Sequence, residues 1–529
     1  MDFVRSLLEQ QPLMALFLTI AIGYLVGAIN LKGFSLGAGA VLFVALAVGW
    51  FAPKSAPAPM VGTFGLAVFL YAVGIQYGKQ FFQGLTSADG IKANIMSLVG
   101  VLFSGVVCLL FIRMFAIPPG HALGLFAGGG TSTATLQAAI LTLGNNDAAV
   151  GYSVAYPFGV AGPILALYLT FIVMKPKIDV ASTSMELLEI ALRNPGFIGK
   201  RLGEVMDTLP AGVKIVALRH EHHNFAASRD IVMAEDDVVL AVGPDRDTLD
   251  KLRHDLGEAA PGRIAKDRSD IDYLRMFASR PDVVGRALGD LDMPGGNGLV
   301  VQVRRGDVDL LPQPDLVLEY GDRVGVFANR GEFAALRKYF GDSIKATAEF
   351  SYISIGLGMA IGFLLGAISV TLPGVGKVSL GLAGVLIAGL VLGKLRRTGK
   401  IHWTMPLSAN VVLRNLGLTL FLAQVGMSSG PKFAATVSAT GFLMLGLSCV
   451  AVAALVLPVL LMGLYVFRMP FDQVSGIVAG ATGNPAIVAY AGKLAPTEKP
   501  DVGYAMIFPG MTIVKILFVN IVPALLLSG

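Results

Sequence analysis

The decapeptide GGGTSTATLQ (Gly128–Gln137) gathers three glycines and four hydroxyls inside apolar surroundings, a combination suited to binding a solute rather than facing lipid. Gly128, Gly129 and Gly130 allow backbone and ligand to approach closely. Thr131, Ser132 and Thr133 can donate hydrogen bonds or cap a short helix. The free amides and positive dipole end of such a helix favour an anion, above all a carboxylate. A second polar interruption, GATGNPA (Gly480–Ala486), presents Thr482, Gly483, Asn484 and Pro485 for the same task. The plainer reading is that these small residues only let helices pack tightly; their recurrence at matched positions favours a site.

Other polar residues stand in apolar runs. Lys515, in PGMTIVKILFVNIVPALLL, is an ionisable residue within the final run and therefore a functional suspect. It could pair with a substrate carboxylate, couple to protons, or snorkel to the interface. Gln76 and Tyr77 in one half match Ser428 and Ser429 in the other, serving either as site walls or as interhelical hydrogen bonds. Arg414 reads as an anchor at the start of a span. His121 and His402 sit at predicted membrane edges outside any metal-ligand pattern. Cys108 and Cys449 each fall inside an apolar run, which suggests buried free thiols.

The elements that must position these residues are membrane helices. The chain is 54% hydrophobic and only 15% charged, outside the range of ordinary soluble domains. Runs at Leu13–Ile29, Phe34–Phe51, Ile95–Phe115, Ser351–Val370, Leu380–Leu395 and Gly441–Val466 approach the length needed to cross a hydrocarbon core. The N-terminal MDFVRSLLEQQPLMALFL lacks a cleavage site and reads as the first span rather than a signal peptide. The net charge of +5 reflects lysines and arginines at membrane edges and does not point to nucleic acid.

Between Lys175 and Lys345 hydropathy collapses and strand-like alternation appears. NPGFIGKRLGEV (Asn194–Val205) is echoed 86 residues later by RPDVVGRALGDL (Arg280–Leu291), and EDDVVLAVG by YGDRVGVFA, which predicts two α+β lobes over 183–258 and 268–342. The flanking membrane halves, 1–175 and 350–529, also repeat. LAVFLYAVGIQYGKQF matches LTLFLAQVGMSSGPKF, GLFAGGGTSTA matches GIVAGATGNPA, and GYSVAYP matches GYAMIFP, all at an offset of 352. Lys79, Lys92, KLRRTGK (Lys394–Lys400) and Arg468 place the insert on the cytoplasmic side. Five crossings plus a re-entrant hairpin in each half then invert the halves and put both termini outside, a plan shared by many secondary transporters. Six crossings per half is the alternative.

No phosphate loop, HExxH metal motif or Ser-His-Asp cluster is visible, so neither ATP, a catalytic metal, a cofactor nor an enzymatic activity is expected. GLGMAIG (Gly356–Gly362) has glycine spacing like a dinucleotide loop but lies inside a hydrophobic span. With the repeats in view, FLYAVGIQYGKQFF, GLFAGGGTSTATLQAA, LRNLGLTLFLAQVG, GATGNPAIVAYA and YAMIFPGMTIVKIL resemble the aspartate:alanine exchanger family of bacterial inner-membrane transporters. The insert resembles paired C-terminal lobes of RCK domains, also known as TrkA-C. The resemblance implies a carrier, usually a homodimer in lipid, that exchanges amino acids or dicarboxylates through elevator-type movement. Family members proposed to exchange aspartate carry an arginine in the third span. The matching VGIQYGKQFF has Gln76 deep in the span and Lys79 towards its end, so the wider class of anionic amino acids and dicarboxylates is the expected cargo. The rival functions are an ion channel or uniporter gated by the lobes, and a sensor whose insert binds a small regulatory ligand.

Overall fold

The computed structural model describes residues 2–29, 37–176, 178, 186–210, 213–243, 245–264, 266, 271–294, 299–305, 308–310, 312–343, 352–372, 376–399 and 401–527. The expected starts of spans at Phe34 and Ser351, and of the lobes at 183 and 268, lie outside these residues.

The first membrane half comprises α1 (Asp2–Gln10), α2 (Pro12–Gly27), α3 (Ala40–Phe51), α4 (Pro59–Thr86), α5 (Ala88–Phe115), α6 (Pro119–Gly129), α7 (Thr133–Leu143) and α8 (Asp147–Met174). The expected first span is divided, because Pro12 starts α2 and α1 meets it at 109°. Ser87 separates α4 from α5, its hydroxyl accepting from the Gly90 amide as an N-cap. Helices α6 and α7 have 11 residues each, about 16 Å at 1.5 Å per residue, and neither can cross a core of about 30 Å. They form a broken hairpin that enters and returns.

The insert folds as two lobes of one design. The first contains β1 (Glu186–Leu192), α9 (Leu202–Met206), β2 (Lys214–His220), β3 (His223–Ala226), β4 (Val238–Gly243), α10 (Arg246–Leu256) and β5 (Gly257–Ala259), in the antiparallel order β3-β2-β4-β1-β5. The second has β6 (Ile271–Phe277), β7 (Leu299–Arg305), β8 (Val308–Leu310), β9 (Arg323–Asn329) and α11 (Phe333–Phe340), in the matching order β8-β7-β9-β6. Register slips at equivalent points, between Ile215 and Ala217 in one lobe and between Val300 and Gln302 in the other. Val216, Leu240, Val301 and Phe327 share one apolar cluster between the lobes.

Each lobe buries one acid before its central strand. In the first, Asp237 receives the Ala234 amide and pairs with His220 at 2.8 Å. In the second, Asp322 receives the Glu319 amide and a two-pronged guanidinium from Arg305, at 2.9 and 2.7 Å. Burial pushes the Asp322 carboxyl above its ordinary pKa while Arg305 pulls it back. Arg305→Met therefore leaves a buried acid without its partner and destabilises the second lobe by about 3–5 kcal/mol. Limited proteolysis of the full chain reads this as faster cleavage within residues 271–340; an unchanged cleavage rate would remove the pair from the lobe's support.

The second membrane half contains α12 (Tyr352–Ala367), a hairpin of β10 (Ser369–Leu372) and β11 (Gly376–Ser379), α13 (Ala383–Leu395), α14 (Leu407–Leu461), α15 (Phe471–Thr482), α16 (Pro485–Leu494) and α17 (Lys499–Leu527). Helical backbone runs through α14, whose two apolar stretches, Leu407–Pro431 and Phe442–Val466, correspond to α4 and α5. The position matching Ser87 is Ala439, which has no side-chain oxygen to end one helix and cap the next. Six helices or helix segments among the described residues are long and apolar enough to cross a membrane alone, and the protein is a multi-pass membrane protein.

The contact between repeat-equivalent helices sets the orientation of the halves. A side chain on Gly65 would strike the Gly417 carbonyl, and one on Gly417 the Gly65 carbonyl, in each case within 3 Å. Around this crossing Gly62 faces Gln424, and Asn410 donates to the Ala72 carbonyl, so α4 and α14 run antiparallel. Equivalents packed antiparallel across a two-fold relation make the halves an inverted repeat. The repeat also reaches further than the single offset of 352. Gly27 abuts the Gly37 carbonyl as Gly366 abuts the Gly381 carbonyl, and Gly49 meets Met427 as Gly393 meets Ile75.

Candidate functional site

The two broken hairpins converge tip to tip on α17. Helix α6 ends at Gly129 and α15 at Thr482, and each chain then turns through a left-handed residue: Thr131 at φ +40° and its repeat equivalent Gly483 at φ +95°. Glycine adopts that region freely; a β-branched threonine does so only under strain. The Thr131 hydroxyl donates to the Thr482 carbonyl at 3.0 Å, joining the two breaks directly.

Lys515 completes the junction. Its Nζ donates to the Gly130 carbonyl at 3.0 Å and the Thr482 carbonyl at 3.1 Å, and the residue is only 2% exposed. Both acceptors lie at carboxyl ends of helices, where backbone dipoles leave partial negative charge. A buried ammonium needs such partners, since its desolvation costs several kcal/mol. The lysine is therefore held at the junction and does not snorkel to an interface.

Helices α7 and α16 leave the tips with their amino ends at the same place. Ser132 caps α7, its Oγ accepting from the Thr135 amide at 3.4 Å and lying 2.6 Å from the Thr135 hydroxyl. Asn484 caps α16 by accepting from the Ala486 amide at 2.8 Å, and Pro485 occupies the first helical position, where no amide is needed. Tyrosines from the equivalent helices α8 and α17 brace both tips. The Tyr152 hydroxyl lies 3.3 Å from that of Thr133, Tyr156 accepts from Asn484 at 3.5 Å, and Tyr504 donates to the Gly483 carbonyl at 3.4 Å. Tyr504 stacks on Phe508, with Tyr77 edge-on to both.

Gly130, Thr131, Thr482, Gly483 and Lys515 thus meet, with Ser132, Thr133, Asn484 and Pro485 shaping the helix starts around them. Gly128 lies against the Tyr152 backbone and Gly129 against Val452. Gln76 and Ser428 have no hydrogen bond to either tip among the described residues. Gln76 accepts from Arg414 at 3.0 Å, while Ser428 pairs within α14 with Gln424 at 2.9 Å. The anchor expected at Arg414 is in fact a link between helices, since the same guanidinium nitrogen reaches the Tyr77 hydroxyl at 3.2 Å. Cys108 is buried as expected, whereas Cys449 lies on the exposed flank of α14; both are free. Composition does not single out the bracing tyrosines, although the matched segments GYSVAYP and GYAMIFP contain them.

Comparison with known proteins agrees with this architecture. The family model described as "Predicted Permease Membrane Region", the aspartate:alanine exchanger model, matches residues 15–173 and 354–524, and a TrkA-C domain model matches residues 276–341. An uncharacterised transporter of Geobacter sulfurreducens is 36% identical, covering 99% of this chain and all of the relative. One from Symbiobacterium thermophilum is also 36% identical over 98% of this chain and 99% of its own length. Another from Corynebacterium diphtheriae is 34% identical over 97% and 93%, respectively. The chain belongs to the aspartate:alanine exchanger family of membrane transporters and carries a TrkA-C domain in its central insert.

Proposed function

We propose that the protein is a secondary exchanger of anionic amino acids or dicarboxylates, working by elevator-like alternating access as a dimer in the bacterial inner membrane, with the insert in the cytoplasm. The observation that carries this reading is the single ammonium of Lys515 shared by carbonyls at both helix breaks. A carboxylate arriving at the tips is a stronger acceptor than a backbone carbonyl, because both partners in the new bond are ionised. It takes the ammonium's remaining N–H, and the first-turn amides of Thr133 and Ala134, which have no helical acceptor, add further donors. The loaded junction is closer to neutral than the empty one. An empty carrier must move the lysine's charge through the bilayer without that compensation, so translocation without cargo is slow and exchange results.

Counterflow into proteoliposomes tests the reading with labelled L-aspartate and labelled succinate. Uptake of at least one is expected to rise several-fold when the same unlabelled solute is inside. Uptake indifferent to internal solute, or unitary currents in a planar bilayer, would replace the exchanger with a uniporter or a channel.

A further inference from the structure

A cavity of about 320 Å³ opens beside the first tip, between α7, α17 and the segment 379–383 that leads into α13. Its volume is in the range of small-molecule sites. Ala134 and Ile516 line it, and they directly follow Thr133 and Lys515 in the chain, so the cavity begins where the tip junction ends. Among the described residues no charged side chain lines it.

Its polar groups differ in commitment. Asn520 is fixed, accepting from the Thr142 hydroxyl at 2.9 Å and donating to the Ser379 carbonyl at 3.4 Å. Gln137, one α7 turn beyond Ala134, is only 8% exposed, and its amide has no hydrogen-bond partner among the described residues. Its polar atoms are not among the fully enclosed unpaired ones, so the amide reaches the open space of the cavity. An amide that is nine-tenths buried and unpaired stands to gain about 1–3 kcal/mol from a partner that fits.

The fold does not require this space. At the repeat-equivalent positions Ala489 replaces Gln137, Tyr490 replaces Ala138 and Tyr168 replaces Asn520. The equivalent positions beside the second tip, on α16 and α8, thus carry two bulky phenols where those beside the first tip, on α7 and α17, hold a small residue and an amide, and an alanine stands in place of Gln137.

We infer that this cavity is the specificity-determining part of the solute site, with Gln137 reading an uncharged or amino hydrogen-bonding substituent next to a carboxylate held at the tips. The inference rests on the exchanger reading and narrows it: α-hydroxy and α-amino dicarboxylates are favoured over the unsubstituted dicarboxylate. A site built to hydrogen-bond a substituent rejects the analogue that lacks it, because its own buried polar group is then left unpaired.

Competition of counterflow by L-malate, L-aspartate and succinate, with the full chain in proteoliposomes, is the test. The unmodified protein is expected to be half-inhibited by malate and aspartate at concentrations at least tenfold below that for succinate. Gln137→Leu is expected to raise the malate and aspartate values at least tenfold while the succinate value does not rise, because leucine leaves no amide unpaired beside it. Gln137→Met, which keeps the unbranched shape, should repeat that pattern and so guards against a folding defect in the first variant. Equal shifts for all three solutes, or none, would overturn the role of Gln137 and make the cavity a solvent- or lipid-filled crevice. If the unmodified protein moved none of the three, the exchanger reading would fall first, and the inference with it.

Discussion

Lys515→Met is expected to lower the initial rate of counterflow by about 100-fold or more, equivalent to about 2.7 kcal/mol of barrier. Methionine keeps an unbranched apolar stem in a site that is almost fully enclosed. It removes the ammonium, and with it the link from Gly130 to Thr482. Thr482 retains the Thr131 hydroxyl, whereas the Gly130 carbonyl loses its side-chain partner. Stability responds much less than transport. An orphaned carbonyl costs about 1–3 kcal/mol, but replacing a buried charge with an apolar group returns its desolvation penalty. Lys515→Arg keeps the charge but has to fit a planar fork where a compact ammonium stood, and restores only part of the rate. Initial rates and thermal melting of the three proteins check the prediction together; near-normal exchange by the methionine variant would remove the lysine from the mechanism.

Thr131→Gly is expected to separate stability from transport in a different way. At φ +40° threonine pays backbone strain of about 1–3 kcal/mol, and glycine removes it. Glycine also gives up the hydrogen bond to Thr482 and adds freedom to the unfolded chain, each worth about 1 kcal/mol. The changes offset, leaving melting close to that of the unmodified protein. Exchange falls tenfold or more, because the direct bond between the two breaks is gone. Thr131→Val keeps the strain and loses the bond, so it lowers both stability and exchange. A glycine variant that exchanges at the normal rate would show that the strained threonine serves no transport purpose.

Much of this arrangement was legible in the residues because the repeat is most regular where the hairpins lie. From α4 onwards one offset of 352 aligns both tips and the tyrosines of α8 and α17. Before α4 it fails for a simple reason. Gly49 corresponds to Gly393 and Gly27 to Gly366, and the connections on either side of α13 are 5 and 8 residues longer than those around α3, so comparison at a fixed offset passes over them. The partners of Lys515 were hidden for another reason: both are backbone carbonyls, which have no signature in residue type. Gln76 and Ser428 drew attention as matched polar positions, yet each bonds to a neighbour on α14, and only coordinates distinguish a site wall from a bond between or within helices. In the insert, the echo of NPGFIGKRLGEV in RPDVVGRALGDL revealed two lobes, while the equivalence of His220–Asp237 and Arg305–Asp322 emerged only with strand register.

A density map of the full chain in lipid nanodiscs, with the solute that gives counterflow at saturating concentration, addresses the central claim most directly. A carboxylate seated between the tips, within about 3 Å of Lys515 Nζ and the amino end of α7, is the expected result. Density for the solute elsewhere, with Lys515 still bound to Gly130 and Thr482 and the tips closed on each other, would contradict it.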